Sequence, residues 1–344
     1  MRKPLTLVFP GRMHLAAPRL PAPLHLAVAL LTARSLPASG RLAAVRFMRH
    51  LKRDGFRLER DITFAELMAR HGQHETVIRY LWAPLCLSAL NTPPQEASAQ
   101  VFLNVLRDSL AAAREASDLL LPKTDLSTLF PEPAERFVLN RGGEVLRGTS
   151  IHTVDWTPYG FHLEGDASGR SYTHVIAAVA PYHLRRLSAK LPRLQPVLEE
   201  VEQLSYEPIL TAYLGYPQAV KLPGSMLGIG GTAHFLFQHA DNILAAVSSA
   251  RGPHLDLSHE TLVERIHAEV VDIVGIVDKM PRPAWSQVIV EKRATFACRP
   301  GMRRPACETP LANFFLCGDY VASDYPATLE AAVRSGVACA RLIR

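Results

Sequence analysis

The residues with the clearest chemical potential lie near the C terminus, where the apolar segment Asn313–Cys317 ends in Gly318-Asp319. This segment is predicted to be a short buried strand. The glycine lets a ligand approach the backbone, and the aspartate can accept hydrogen bonds from sugar hydroxyls. A helix after the turn would present unpaired N–H groups and the positive end of its dipole. Together they predict an anion or dinucleotide site, although many α/β proteins share this pattern.

The helix after this turn is predicted to begin at Pro326, because proline is favoured at the first helical position. Glu330 and Arg334 stand four residues apart in the order that favours an ion pair on the solvent side. The helix should pack on the core through one apolar stripe, formed by Leu329, Ala332, Val333, Gly336, Val337 and Ala340.

Composition indicates a folded protein with one basic stretch. The chain has 344 residues, 48% of them hydrophobic, enough for two domains or for one large two-lobed enzyme. The formal net charge is +6, and no nucleic-acid-binding motif accompanies it, so nucleic acid is not an expected partner. The basic stretch is either a solvated helix face or a contact with an anionic membrane surface. Its members are Arg41, Arg46, Arg49, Lys52, Arg53, Arg57 and Arg60.

Cysteine and histidine usage predicts no metal site and no disulfide framework. The five cysteines are odd in number and lack Cys-x-x-Cys spacing, and His71 and His74 have no companion ligands. Reduced thiols and the lack of a secretory signal indicate a cytoplasmic protein, peripheral at the inner face of the membrane if the basic stretch contacts lipid. The apolar run Leu24–Leu36 is shorter than the roughly 20 residues that span a bilayer.

The coarse pattern is helical over the first third of the chain and richer in strands after Arg141. Apolar spacing between Leu42 and Leu51 predicts one helix, and Thr92-Pro93-Pro94-Gln95 predicts the start of a second. The run Val175–Ala180 predicts a strand buried on both faces. Gly228-Ile229-Gly230-Gly231 lacks the spacing of a phosphate loop and is interpreted as a turn. Further strands are expected at 144–153, 161–164, 171–180, 209–216, 235–238 and 243–248, and a helix at 261–274.

The string from Leu316 to Gly336, with Pro-Ala-Thr-Leu-Glu at 326–330, resembles the C-terminal FAD motif of the flavin amine oxidase and phytoene desaturase superfamily. The residue sequence of this string is most similar to that of the squalene-associated branch, the hydroxysqualene dehydroxylases. Other segments similar to that branch are Trp82–Leu85, Ala89–Pro93, Ser117–Pro122, Asp125–Pro131, Gly142–Val145 and Glu291–Phe296.

The resemblance implies FAD as the cofactor and an apolar C30 isoprenoid as the substrate. The turn would hold the ribityl and pyrophosphate part of FAD, the start of the helix would face the flavin pyrimidine edge, and a strand residue would lie beside the adenine. These cofactor residues are Gly318, Asp319, Ala327, Thr328, Leu329 and Ile151. The residues in segments that line the hydrophobic tunnel of relatives are Trp82, Leu85, Asn91 and Phe237.

The activity implied by the resemblance is that of an FAD-dependent oxidoreductase of hopanoid biosynthesis, which removes the hydroxyl of hydroxysqualene reductively to give squalene. A second hypothesis for an enzyme is carotenoid desaturation of the phytoene type, or amine oxidation. A hypothesis of another class is that the chain is a non-catalytic fragment, or one chain of a split enzyme.

The sequence departs from the superfamily in one respect, because relatives open with a strand, G-x-G-x-x-G and a helix that this sequence lacks. We therefore expect the chain alone to bind FAD weakly or not at all, with a complementing N-terminal chain as a partner. A wrong start codon, a split gene and a decayed gene stay open.

The expected fold is a two-lobed α/β amine-oxidase or phytoene-desaturase-like fold without the N-terminal Rossmann βαβ segment. Residues 1–130 would form a mainly helical substrate-side region and 131–185 the strands of the FAD lobe. Residues 186–300 would form the substrate domain, and 301–344 the C-terminal FAD-binding strand and helix.

Overall fold

The structure is a computed structural model that describes residues 2–166, 169–222, 224, 226–274 and 280–343. The strands are β1 (Arg2–Lys3), β2 (Thr6–Phe9), β3 (Met13–Ala16), β4 (Leu119–Leu120), β5 (Ile151–Thr157), β6 (Gly160–Gly165), β7 (Ser171–Tyr172), β8 (Val175–Ala177), β9 (Tyr206–Gly215), β10 (Met226–Gly228), β11 (Phe235–Ala240), β12 (Ile243–Ser249), β13 (Trp285–Phe296) and β14 (Phe314–Leu316).

The α-helices are α1 (Leu24–Thr32), α2 (Ala38–Arg53), α3 (Phe64–Arg70), α4 (Glu75–Val77), α5 (Ala83–Leu90), α6 (Ala99–Ser109), α7 (Leu126–Leu129), α8 (Pro131–Leu139), α9 (Pro181–Leu187), α10 (Gln195–Glu202), α11 (His259–Val274) and α12 (Leu329–Leu342). A π-helical turn, Ile78–Trp82, joins α4 to α5. Over the described ranges, no helix is both long and apolar enough to cross a membrane.

The chain divides into two compact units built from interleaved segments. The smaller unit contains Met1–Lys3, Asp118–Leu204 and Arg303–Arg344, and the larger unit contains Pro4–Ser117 and Ser205–Met302. The boundaries expected from the sequence were 131, 185 and 301. The assignment of one set of segments to FAD and the other to substrate stays a prediction.

A five-stranded antiparallel sheet, in the order β10-β11-β12-β9-β13, forms the centre of the larger unit. Leu210, Ala212 and Leu214 alternate along β9 and are buried on one face of the sheet. Helix α11 contributes Leu262, Ile266 and Val270 to the same apolar cluster. Because strands repeat every two residues and helices every 3.6, each element presents one apolar side to the other. The predicted bounds of β9, β11, β12 and α11 agree within three residues.

The helical part of the larger unit differs from the prediction at α6. The buried face of α2 contains Ala44, Phe47 and Leu51, as the apolar spacing predicts. Helix α6, however, begins at Ala99 after the cap Ser98, and not near Thr92. The Thr92 hydroxyl donates to the carbonyl of Leu90 and accepts the N–H of Cys298, so it is not available as a helix cap.

A β-hairpin formed by β2 and β3 lies in the region that was expected to be helical. Buried residues alternate with half-buried ones along β2 and with exposed ones along β3, which is a strand pattern. Each strand has only four residues, too few to give a clear periodicity in the sequence. The Phe9 ring occupies the space beside Gly228, where an added Cβ would lie 2.2 Å from the ring. Gly228 closes β10, so the predicted turn begins one residue later than expected.

The smaller unit contains the parallel pair β8 and β14, with Val175 opposite Phe314 and Ala177 opposite Leu316. The strand expected at 175–180 is shorter than predicted, because β8 ends at Ala177, and it is not buried on both faces, because Ile176 has an exposed fraction of 40%. A separate antiparallel sheet contains β5, β6 and β7. The strand expected at 144–153 is wrong in its start, because β5 begins at Ile151 and Gly148 adopts a left-handed turn with φ 65°.

Helix α12 differs from the sequence prediction in where it begins and in which face is buried. It begins at Leu329 after the cap Thr328, three residues later than Pro326. The predicted apolar stripe faces outward, since the exposed fraction is 73% for Leu329, 45% for Val333 and 48% for Val337. Small residues occupy the buried face instead, namely Ala331, Ser335 and Cys339. The Cys339 thiol donates to the carbonyl of Leu316 at 3.0 Å, so the small face lets the helix approach β14 closely.

Asn91 ends α5 and joins it to the central sheet of the larger unit. Its backbone is left-handed, with φ 46°, and its side chain is buried. The amide nitrogen donates to Thr295 Oγ1 in β13 at 2.9 Å and to the Pro208 carbonyl in β9 at 3.3 Å. The amide oxygen accepts the N–H of Ala250 at 2.6 Å, just after β12. One side chain therefore connects a helix to three strands.

We expect Asn91→Ala to destabilise the chain, because the buried N–H of Ala250 loses its acceptor at a cost of roughly 1–3 kcal/mol. The left-handed backbone disfavours alanine as well. Urea denaturation would measure the free energy of unfolding. The matched control is Asn140→Ala at the exposed end of α8, and equal losses in the two variants would contradict the role given to Asn91.

Candidate functional site

The turn at Gly318 connects β14 to the loop that leads into α12. Its N–H donates to Ser335 Oγ at 2.8 Å, and that hydroxyl donates to the carbonyl of Ala332 at 2.6 Å. Gly318 has φ 154°, and an added Cβ would lie 2.7 Å from the Tyr320 ring. The position therefore requires glycine, and its backbone is held against α12 by a side chain of that helix.

Arg304 holds the loop between the turn and the helix. Its guanidinium donates to the carbonyls of Ser323, of Tyr325 at 2.9 Å and of Asp319 at 3.4 Å. Three backbone acceptors on one cation fix the course of residues 319–325. These contacts could not be predicted from the sequence, because Arg304 and the carbonyls that it binds are 15 to 21 residues apart and form no local motif.

Asp319 is half-buried beside this loop. Burial raises the pKa of its carboxyl, and hydrogen bonds from the backbone N–H groups of Tyr320 and Asp319 and the charge of Arg304 oppose the shift only partly. A half-buried carboxylate that exchanges water for hydroxyl donors is a good acceptor for a polyol or a ribose.

The N-terminus of α12 follows the loop directly. Thr328 Oγ1 accepts the N–H of Ala331 at 3.2 Å and so caps one of the four unpaired donors of the first turn. Glu330 and Arg334 form the predicted i, i+4 ion pair, with 2.6 Å between Nε and Oε1. Ala327 and Thr328 are half-buried, and Leu329 is exposed.

The structure brings five of the six predicted cofactor residues into one segment: Gly318, Asp319, Ala327, Thr328 and Leu329. Ile151 lies elsewhere in the smaller unit, as the first residue of β5, where it pairs with Gly165. The half-buried carboxylate of Asp319 is an acceptor and the N-terminus of α12 offers N–H donors, and both fit part of a flavin nucleotide. Their contact with a cofactor stays a prediction.

The four predicted substrate residues all lie in the larger unit. Trp82 is fully buried, and its Nε1 donates to Gln73 Oε1 at 2.8 Å. Leu85 is half-buried in α5, and Asn91 is buried and occupied by the hydrogen bonds described above. Phe237 is half-buried in β11, on the sheet face opposite to that of Leu236 and α11. Their role as substrate contacts stays a prediction.

Sequence reasoning missed Ser335 and Arg304, which organise the Gly318 turn. Ser335 had a usable signal, since it lies four residues after Ala331 and four before Cys339 on a face of small side chains.

A strand of a parallel pair that runs through a glycine turn toward a helix N-terminus is the arrangement of nucleotide-binding α/β proteins. The chain belongs to the family of flavin-containing amine oxidoreductases, whose model matches residues 6–344. Membership in this family implies a flavin cofactor.

Curated relatives include two hydroxysqualene dehydroxylases. The one from Rhodopseudomonas palustris is 33% identical over 273 residues, which cover 76% of this chain and 62% of the relative. The one from Zymomonas mobilis is 29% identical over 269 residues, 77% of this chain and 62% of the relative. A zeta-carotene desaturase from Zea mays is 24% identical over 317 residues, 80% of this chain and 55% of the relative. The chain thus spans about three fifths of the length of these relatives.

Solved structures share the fold at low identity. An oxidoreductase from Methanosarcina mazei superposes with a TM-score of 0.69 and 12% identity, over 89% of this chain and 73% of that one. An engineered putrescine oxidase superposes with a TM-score of 0.60 and 14% identity, over 99% of this chain and 90% of that one. The amine-oxidase-type fold with mixed helix and strand, expected from the sequence, is confirmed.

The raised pKa of Asp319 predicts a pH dependence of stability. A carboxyl whose pKa is higher in the folded state contributes stability below its unfolded pKa of about 3.9, and this contribution is lost as pH rises through the folded pKa. We expect Asp319→Asn, which cannot ionise, to gain stability relative to the parent as pH rises from about 4 to about 7. Urea denaturation across this range would measure it, and a difference that stays constant with pH would contradict the assignment.

Proposed function

We propose that the chain is part or all of an FAD-dependent oxidoreductase that acts on an apolar isoprenoid. The observation that carries the proposal is the sequence similarity to hydroxysqualene dehydroxylases, which reaches 33% identity over 76% of the chain. The match to the flavin-containing family supports it. The reaction proposed is the reductive dehydroxylation of hydroxysqualene to squalene. Carotene desaturation is the nearest alternative, because carotene desaturases match at lower identity.

The proposed reaction exchanges a hydroxyl for a hydrogen. The C–O bond breaks, the hydroxyl leaves as water with an added proton, and a hydride forms the new C–H bond at the same carbon. Reduced FAD supplies that hydride when bound. The protein must therefore bind an oily chain, orient its hydroxyl carbon and exclude water from the electron-poor centre that develops there.

The residues of the smaller unit suit the binding of the cofactor. Gly318 leaves room for the Tyr320 ring and so shapes the turn, and Asp319 can accept hydrogen bonds from ribityl hydroxyls. The N–H groups at the start of α12 favour negative charge by about 0.3–1 kcal/mol. Ser335 and Arg304 act indirectly, because they hold the turn and the loop in place.

The outer face of the sheet in the larger unit suits an apolar substrate. Phe237 lies opposite Ala245, which in turn lies opposite Tyr213, so the three side chains share this face. Phe237 and Tyr213 are half-buried. Aromatic rings on a rigid sheet are well suited to contact a polyene chain without large entropic cost.

A second candidate is that the chain is non-catalytic alone, or is one chain of a two-chain enzyme. The observation that favours it is the apolar surface of the smaller unit, which carries most of the exposed large apolar side chains of the described residues. Examples are Leu126, Phe130, Phe137 and the outward face of α12. Soluble monomers rarely expose so much apolar surface without a partner.

Substrate turnover distinguishes the enzymatic candidates. We expect the chain, with reduced FAD and any complementing polypeptide, to convert hydroxysqualene to squalene. The carbon that loses its hydroxyl as water is the acceptor of the hydride from reduced FAD. The parallel substrates are phytoene and simple amines with oxidised FAD, and the products would be separated by gas chromatography with mass detection. Turnover of phytoene alone would reject the dehydroxylase proposal.

In the chain together with a complementing N-terminal polypeptide that supplies the G-x-G-x-x-G segment, we expect Asp319→Ala to weaken FAD binding about ten- to hundredfold, because a charge-assisted hydrogen bond contributes roughly 1.5–3 kcal/mol. Titration of flavin fluorescence would measure the Kd. The control is Asp166→Ala, since Asp166 is exposed and accepts only the N–H of Ser150 among the contacts described for its side chain. An unchanged Kd in Asp319→Ala would reject the site. FAD binding by the parent only after addition of a complementing chain would favour the second candidate.

A further inference from the structure

The excess positive charge of the chain arises from its first 53 residues. The whole chain has 38 Lys and Arg residues and 32 Asp and Glu residues. The first 53 residues contain ten of the basic residues and none of the acidic ones. Eight of these ten cations lie in residues 4–53, which belong to the larger unit, and they favour a positive field on that part of the unit.

Helix α2 presents a row of these cations. Arg46, Arg49 and Lys52 are exposed and follow one another at spacings of three residues, so they lie along one side of the helix. We refer to these three residues as the α2 cations. The acidic residue that follows, Asp54, pairs with Arg53 at 2.9 Å.

Exposed leucines lie beside the α2 cations. The exposed fraction is 54% for Leu24 and 42% for Leu31 in α1, and 48% for Leu42 in α2. Single exposed leucines are ordinary. These three, which we call the exposed leucines, belong to two adjacent helices and occur together with the cations, which is the composition of an interfacial helix pair.

An apolar groove of about 280 Å³ is lined by residues of α1 and α2 and by Leu110 and Ala111. Two α2 cations, Arg49 and Lys52, line it together with apolar side chains. Ala27 also lines it and lies one helical turn from Leu24 and from Leu31, so these two exposed leucines lie on the side of α1 that borders the groove. The apolar part of the lining includes Pro23, Leu26, Leu30, Val45 and Met48.

We propose that α1 and α2 dock the chain on an anionic lipid bilayer. The exposed leucines enter the boundary between headgroups and acyl chains, the α2 cations bind the anionic headgroups, and the groove accepts an apolar chain from the lipid. Charge complementarity selects this occupant, because α1 and α2 together contain five lysine and arginine residues and no aspartate or glutamate. Nucleic acid would match the charge and leave the leucines and the groove without an apolar partner.

Sedimentation with lipid vesicles tests the proposal on the full chain. We expect binding to vesicles of equal parts phosphatidylglycerol and phosphatidylcholine, at least tenfold weaker binding to phosphatidylcholine alone, and loss of binding as salt is raised. Arg49→Glu/Lys52→Glu should weaken binding to the anionic vesicles at least about tenfold. Leu24→Ser/Leu31→Ser should weaken it about tenfold, because two leucines no longer enter the acyl boundary.

Matched variants elsewhere on the surface serve as controls. Arg265→Glu/Arg303→Glu makes the same change in net charge at exposed positions outside α1 and α2. Leu126→Ser/Leu129→Ser removes two leucines of similar exposure in α7. Both are expected to bind the anionic vesicles within about twofold of the parent. Circular dichroism of every variant establishes that a loss of binding is not a loss of folding.

Equal binding to neutral and anionic vesicles, no binding to either, or equal losses in the test and control variants would overturn the proposal. The surface would instead be assigned to a second copy of the chain by two results together: the parent is a dimer in sedimentation velocity and does not bind vesicles, and Leu24→Ser/Leu31→Ser is a monomer. The vesicle assay contains no substrate and measures no turnover. Its outcome is therefore independent of whether hydroxysqualene is the substrate.

Discussion

The larger unit depends on one buried carboxylate. Glu207, at the start of β9, is fully buried; it accepts the backbone N–H of Arg251 at 3.0 Å and forms an ion pair with the Arg251 guanidinium. Arg299 lies 3.9 Å from it, and Glu96 pairs with both arginines. A buried charge is tolerated only with its partners in place. In the folded unit the segments around residues 96, 207, 251 and 299 must therefore meet at this carboxylate, and Asn91 reinforces the same junction.

In the smaller unit, the equivalent constraint is the close approach of α12 to β14. Ala331, Ser335 and Cys339 are small enough for the helix to lie against the strand, and Ser335 is then near enough to hold the N–H of Gly318. The candidate cofactor turn is thus a product of helix packing. The same packing directs the large residues of α12 outward, which leaves an apolar surface on the side of the helix away from β14.

The two apolar surfaces of the chain differ in charge. The surface of α1 and α2 combines leucines with arginine and lysine, as an interface with anionic lipid requires. The outward face of α12 and the residues of α7 and α8 include ion-paired charges such as Glu330 with Arg334 and Glu135 with Arg147. An apolar patch with a polar rim is typical of contact with another polypeptide.

The sequence by itself determined the elements whose signals are local. Periodicity and apolar runs located α2, α11, three strands of the central sheet and the strand at 314–316, and the string at 316–336 identified the family. It could not decide which face of α12 is buried, because the outward Leu329, Val333 and Val337 look like a core stripe until the strand beside the helix is known. The hydrogen bonds of Arg304, Asn91 and Thr92 join residues far apart in the chain, so only the tertiary structure decided where α6 begins and what holds the turn at Gly318.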